Sequence, residues 1–105
     1  MLVFAPHPDD EVFGCGGAIM RHLAQGIAVE VIIVSDGAYG AESEESRRQY
    51  ALQRQEESNL AAKILGYGLP SFWSYPDRKV GYGEKLIQDI LAAINQSQAD
   101  LISAF

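Results

Sequence analysis

Apolar residues along this chain fall into two alternating kinds of run, one short and unbroken, the other spaced by three and four. Leu2 to Ala5 is unbroken and stopped by Pro6, the pattern of a strand buried on both faces of a parallel sheet. From Asp10 to Gln25 the positions Val12, Phe13, Ile19, Met20 and Leu23 recur at helical spacing, and Gly26 supplies a stop signal. Ala28 to Val34 is β-branched and nearly uniformly apolar, a second buried strand closed by Ser35-Asp36-Gly37. Gly37 and Gly40 bracket a loop. Ser43 then caps a helix that carries Glu44 and Glu45 against the positive end of its dipole and runs to about Leu65, ahead of Gly66.

Ser71 to Tyr75 reads as a short aromatic third strand, ended by Pro76-Asp77. From Gly83 onward Leu86, Ile87, Ile90, Leu91 and Ile94 lay a stripe along one helical face, and Leu101 to Phe105 begins a fourth strand. The order βαβαβαβ with apolar strands predicts an α/β fold in three α/β/α layers, a mostly parallel sheet with helices on both faces and right-handed crossovers. Ligands of such sheets sit beyond the carboxyl ends of the strands. Pro6 to Glu11, Ser35 to Gly37 and Pro76-Asp77 all fall at such ends.

The length of 105 residues holds one domain and a modest core. No repeat, low-complexity run or linker divides it. A net charge of -6 argues against nucleic acid as a partner, because phosphate neutralisation needs clustered Lys and Arg. Cys15 is the only cysteine, so no intrachain disulfide forms, and a buried small hydrophobe is preferred for it over a nucleophile. Met1 to Ala5 lacks a basic n-region and is too short for a signal peptide or a membrane span, which gives cytoplasmic as the expected location.

The chemistry concentrates in Pro6-His7-Pro8-Asp9-Asp10-Glu11. His7 and Asp10 are three apart across the turn from strand to helix, a spacing that lets an imidazole and a carboxylate converge on one cation, and that donor pair suits Zn²⁺, with another divalent metal as the alternative. Asp9, adjacent but pointing differently, is the candidate general base for a metal-bound water. Helix capping is the competing account of an Asp at a helix start. It weakens where a histidine, two prolines and three consecutive acids share six residues, since like charges there repel unless a cation is present. Gly14, Gly16 and Gly17 fall inside the helix, where they are expected to permit close helix-to-strand packing.

Pro6-His7-Pro8-Asp9-Asp10-Glu11, followed by Gly14-Cys15-Gly16-Gly17, resembles the signature of the LmbE-like, or PIG-L, deacetylases. The resemblance implies a Rossmann-like sheet and a zinc hydrolase that removes an acetyl group from an N-acetylglucosamine-type substrate. It agrees with His7 and Asp10 as metal ligands and Asp9 as base, and it leaves Glu11 as a helix-start carboxylate. Arg54-Gln55-Glu56-Glu57, with Ala61-Ala62 and Leu65-Gly66, is similar to the family's Arg-x-x-Glu helix and makes Arg54 a substrate-binding candidate. A solvated member of weak ion pairs is the alternative for Arg54. Ser35-Asp36-Gly37 and Pro76-Asp77-Arg78 match family loops, so Asp77 is either an acceptor for sugar hydroxyls or an ordinary turn residue.

The resemblance implies a domain that continues past the fourth strand into a histidine-bearing loop, so the chain reads as a truncated copy lacking the third metal ligand. His22, well along helix one, is expected to be an exposed helix residue and a poor substitute. The expected partner is a small N-acetylated sugar conjugate, with self-association into a homo-oligomer. An inactive module that binds a sugar or a protein without catalysis is the rival reading. A dinucleotide-binding domain is disfavoured, because no Gly-x-Gly-x-x-Gly lies between strand one and helix one.

Overall fold

The computed structural model describes residues 1–8, 10–35, 43–75, 83–99 and 101–104. Its elements are β1 (Leu2–Ala5), α1 (Asp10–Ala24), β2 (Glu30–Ser35), α2 (Glu44–Leu65), β3 (Ser71–Tyr75), α3 (Glu84–Ser97) and β4 (Ile102–Ala104). The four strands form one sheet in the order β3-β2-β1-β4, every pair parallel.

Alternation along the strands sends side chains to two separate cores. Val3, Ala5, Val31 and Ile33 meet Cys15 and Ile19 of α1 and Ala62 of α2 on one face. Leu2, Phe4 and Ile32 lie on the other, with Ile90, Ala93 and Ile94 of α3 packed against them. Two helices therefore cover one face and α3 the other, giving the three layers expected. Trp73 joins the α3 side edge-on to Phe4, ring centroids 5.9 Å apart.

The helix ends follow local chemistry. Ser43 is extended and its Oγ accepts from the Ser46 N–H at 3.1 Å, which satisfies one orphan donor of α2. Gly66 takes φ 94 and donates to the Ala62 carbonyl at 2.8 Å, and Gly26 takes φ 78 after α1. β2 starts two residues later than the apolar run suggests, because its partner begins at Leu2, opposite Glu30. The Ala28 carbonyl accepts instead from the chain's amino group at 2.8 Å.

Three expectations about packing are corrected. Gly17 does not allow a close approach: a Cβ there would meet nothing within 4 Å. The buried line of α1 is Glu11, Cys15 and Ile19, and Gly17 lies on the opposite side. Met20 is likewise off that line and 55% exposed. In α3 the stripe is narrower than its apolar residues, since Ile90 and Ile94 meet the sheet while Ile87 and Leu91 stay exposed.

Candidate metal and catalytic site

Sheet order fixes where a site can form. The connection from β1 leads to β2 on one side, whereas the one from β3 crosses to β4 on the other, so the carboxyl ends of β1 and β4 flank the topological switch point. Pro6, His7 and Pro8 leave β1 there. The segment is tied to the neighbouring strand by the Ser35 N–H, which donates to the Pro6 carbonyl at 2.9 Å.

Within this turn burial is divided sharply. Pro8 is buried, Pro6 half-buried and His7 exposed, so the imidazole is accessible at the sheet's carboxyl edge. Asp10 is the first residue of α1, as the His7 spacing requires. Glu11, the next residue, is 0% exposed. It is therefore more than a surface helix-start carboxylate. The pattern that reveals it is present in the sequence: Glu11, Cys15 and Ile19 recur every four residues, which puts the acid on the core line of the helix.

Cys15 is buried, as expected of a small hydrophobe, with its Sγ 3.2 Å from the Ser103 Oγ of β4. That contact joins α1 to the strand across the switch point. His22 lies in the last turn of α1 and is half-buried rather than exposed; its Nδ1–H donates to the Ala18 carbonyl at 2.7 Å. One ring nitrogen is thereby occupied within its own helix.

Arg54 is half-buried midway along α2. Its Nη1 donates to Glu57 Oε2 at 3.1 Å, and its guanidinium lies 5.7 Å from the centroid of the Tyr50 ring. Neighbours one turn away on each side thus engage the guanidinium, and the i,i+3 ion pair, with side chains 32% and 42% exposed, is also what the alternative of a solvated member of weak ion pairs expects. Asp9 and Asp77 lie outside the described residues, as do Asp36, Gly37, Pro76 and Arg78. Among the described residues no group of three His, Cys, Asp or Glu side chains stands ready to hold a metal ion. An imidazole and a carboxylate, the groups that His7 and Asp10 carry, are donor types that zinc takes.

The sequence matches the PIG-L family, described as GlcNAc-PI de-N-acetylase, over residues 2–105. The chain belongs to the PIG-L family. This PIG-L chain is 30% identical over 103 residues to diacetylchitobiose deacetylase of Thermococcus kodakarensis, a match that takes in 97% of the chain and 39% of the relative. Among solved structures it resembles N,N'-diacetylchitobiose deacetylase from Pyrococcus horikoshii, determined with its inhibitor MPG, at TM-score 0.87 and 29% identity, covering 96% of this chain and 38% of that one. It also resembles GalB, the 4-carboxy-2-hydroxymuconate hydratase of Pseudomonas putida KT2440, at TM-score 0.84 and 27% identity, covering 96% of this chain and 44% of that one. The PIG-L chain thus spans about two fifths of the length of the curated deacetylase. Among the described residues no helix is long and apolar enough to cross a membrane.

Proposed function

We propose that this PIG-L chain carries the first part of a zinc-dependent N-deacetylase site, acting on the acetamide of an N-acetylglucosamine-type sugar. The observation that carries the reading is the position of Pro6-His7-Pro8-Asp9-Asp10-Glu11: it leaves the carboxyl end of β1 beside β4, at the switch point, in a chain whose family is shown. Relatives named as deacetylases of acetylated chitobiose support the substrate class.

In this reading His7 and Asp10 hold the metal. With zinc held there, the site would gain a Lewis acid for the amide carbonyl and a lowered pKa for water at the metal. Asp9 takes the proton of the attacking water and returns it to the leaving amine, contributing about 10² to 10⁴ in rate. Arg54, held by Glu57 and Tyr50, and Asp77 orient the sugar through its hydroxyls. The chain is proposed to act in the cytoplasm.

A second reading rests on the resemblance to GalB, which is named as a hydratase on the same scaffold. Water activated by the same residues would then add to a carbon–carbon double bond, with no amine released. Zinc-loaded protein carrying the whole PIG-L domain, offered N-acetylglucosamine and N,N'-diacetylchitobiose, should release acetate and free amine in equal amounts. Hydration of an unsaturated tricarboxylate such as 4-carboxy-2-hydroxymuconate, with no amine from either sugar, would replace the deacetylase reading by the second one.

A further inference from the structure

Helix α3 leaves part of its own side of the sheet uncovered. Its Ile90, Ala93 and Ile94 pack with Leu2, Phe4 and Ile32 over the middle strands, and between that seam and β3 a groove of about 490 Å³ opens to solvent. The volume falls within the range of small-molecule sites, about 300–1,000 Å³. The sequence accounts for the space. Lys85, Asp89, Ala92, Ala93 and Gln96 recur at helical spacing along the flank of α3 that lines the groove, and the two in the middle are alanines, whose methyl groups leave the gap unfilled.

The lining is amphipathic. Ile32 is buried at the floor, and Trp73, half-buried and set edge-on to Phe4 with ring centroids 5.9 Å apart, supplies an aromatic wall. Glu30 and Ser71, at the starts of β2 and β3, and Gln96 of α3 add polar groups at exposed positions. Lys85 is paired with Asp89 at 3.6 Å, so Glu30 gives the lining a net negative charge. A phosphate-bearing ligand would meet Glu30 and no second cation, and an acyl chain would leave the polar groups without partners. An amino sugar satisfies both halves: its C–H face covers apolar surface, its hydroxyls bond Ser71 and Gln96, and its ammonium is attracted by Glu30 and by the indole of Trp73. We propose that this groove binds a glucosamine-type sugar carrying a free ammonium, the class of product that amide hydrolysis at the His7 turn would release. The choice of a sugar among amines rests on the deacetylase reading; the charge and shape of the groove do not. Glu30 and Ser71 lie at the amino ends of their strands and His7 follows the carboxyl end of β1, so the groove opens away from the His7 turn.

Trp73 is the only tryptophan, so the intrinsic fluorescence of the 105-residue chain reports on the groove directly. Titration of the metal-free chain in mildly acidic buffer with glucosamine, or with its β-linked dimer chitobiose, should change that emission saturably. N-acetylglucosamine, which lacks the ammonium, should bind more weakly. Glu30→Gln should weaken glucosamine binding by about 2- to 5-fold, as loss of one exposed ion pair does, and added salt should act in the same direction. Ala92→Leu, at an exposed helix position where leucine keeps the propensity, should fill the groove and abolish saturation. No saturable response, or an unchanged one in Ala92→Leu, would overturn the proposal. Equal affinity for glucosamine and its N-acetyl form would overturn the role of the ammonium, and cyclohexylamine binding as tightly as glucosamine would overturn that of the sugar. Acetate release by protein carrying the whole PIG-L domain separates this inference from the reading beneath it. Release without any response at Trp73 overturns the groove alone, and a response at Trp73 without release overturns the deacetylase reading alone.

Discussion

The Sγ of Cys15 in α1 lies 3.2 Å from the Oγ of Ser103 in β4, joining two elements separated by 88 positions in the sequence. This contact closes the α1 side of the switch point, because β4 enters the sheet next to β1 and α1 begins at the site turn. Its role is structural. Cys15→Ala should cost about 1–3 kcal/mol in a denaturant titration through lost packing in a tight core. Zinc binding at His7 should persist, and alkylation of the buried thiol in the folded protein should be slow.

Two glycines of similar appearance in the sequence should respond to alanine with opposite signs. Gly66 holds φ 94 at the end of α2, where a Cβ is strained, so Gly66→Ala should destabilise by about 1–2 kcal/mol. Gly17 sits inside α1 with open space where a Cβ would go, so Gly17→Ala should stabilise by up to about 1 kcal/mol through helix propensity. Thermal midpoints of the two variants give the comparison. A loss of stability in Gly17→Ala would mean that the glycine serves a contact beyond the described residues.

The division of labour between the two consecutive aspartates is open to a direct test in protein carrying the whole PIG-L domain. Asp9→Asn should keep its metal and lose about 10² to 10⁴ in turnover, as removal of a general base does. Asp10→Asn should lose metal as well as turnover. Equal metal loss in both variants would show that the two carboxylates have been assigned the wrong way round.

Placement of β4 at one margin of the described sheet bears on association. Ile102 is 42% exposed and Leu101 45%, and among the described residues no strand pairs with the far side of β4. An exposed apolar edge of this kind recruits further strands. A polypeptide of these 105 residues should therefore self-associate in light scattering, and Ile102→Lys should shift it toward monomer. A strict monomer at all concentrations would remove the expectation of a homo-oligomer.

Most of the fold was legible because its signals are local. The unbroken run Leu2 to Ala5, the Ser43 cap and the glycines at 26 and 66 each state one element boundary through one physical cause, and each stands where expected. Packing was read less well, since a list of apolar residues does not say which side of a helix meets the sheet. Met20, Ile87 and Leu91 look like core residues and are exposed, whereas Glu11 looks like a surface acid and is buried. In the site, the His7 to Asp10 spacing across a strand-to-helix turn was visible in the sequence. The roles given to Asp9 and Asp77 rest on sequence alone, because both lie outside the described residues.

The central claim is that His7 and Asp10 together hold the metal, and zinc coordination in protein carrying the whole PIG-L domain tests it most directly. A crystal structure with zinc bound, supported by elemental analysis, should place the His7 imidazole nitrogen and an Asp10 carboxylate oxygen both about 2.0–2.2 Å from a single ion. Zinc bound at full occupancy with neither residue in its coordination sphere would contradict the account.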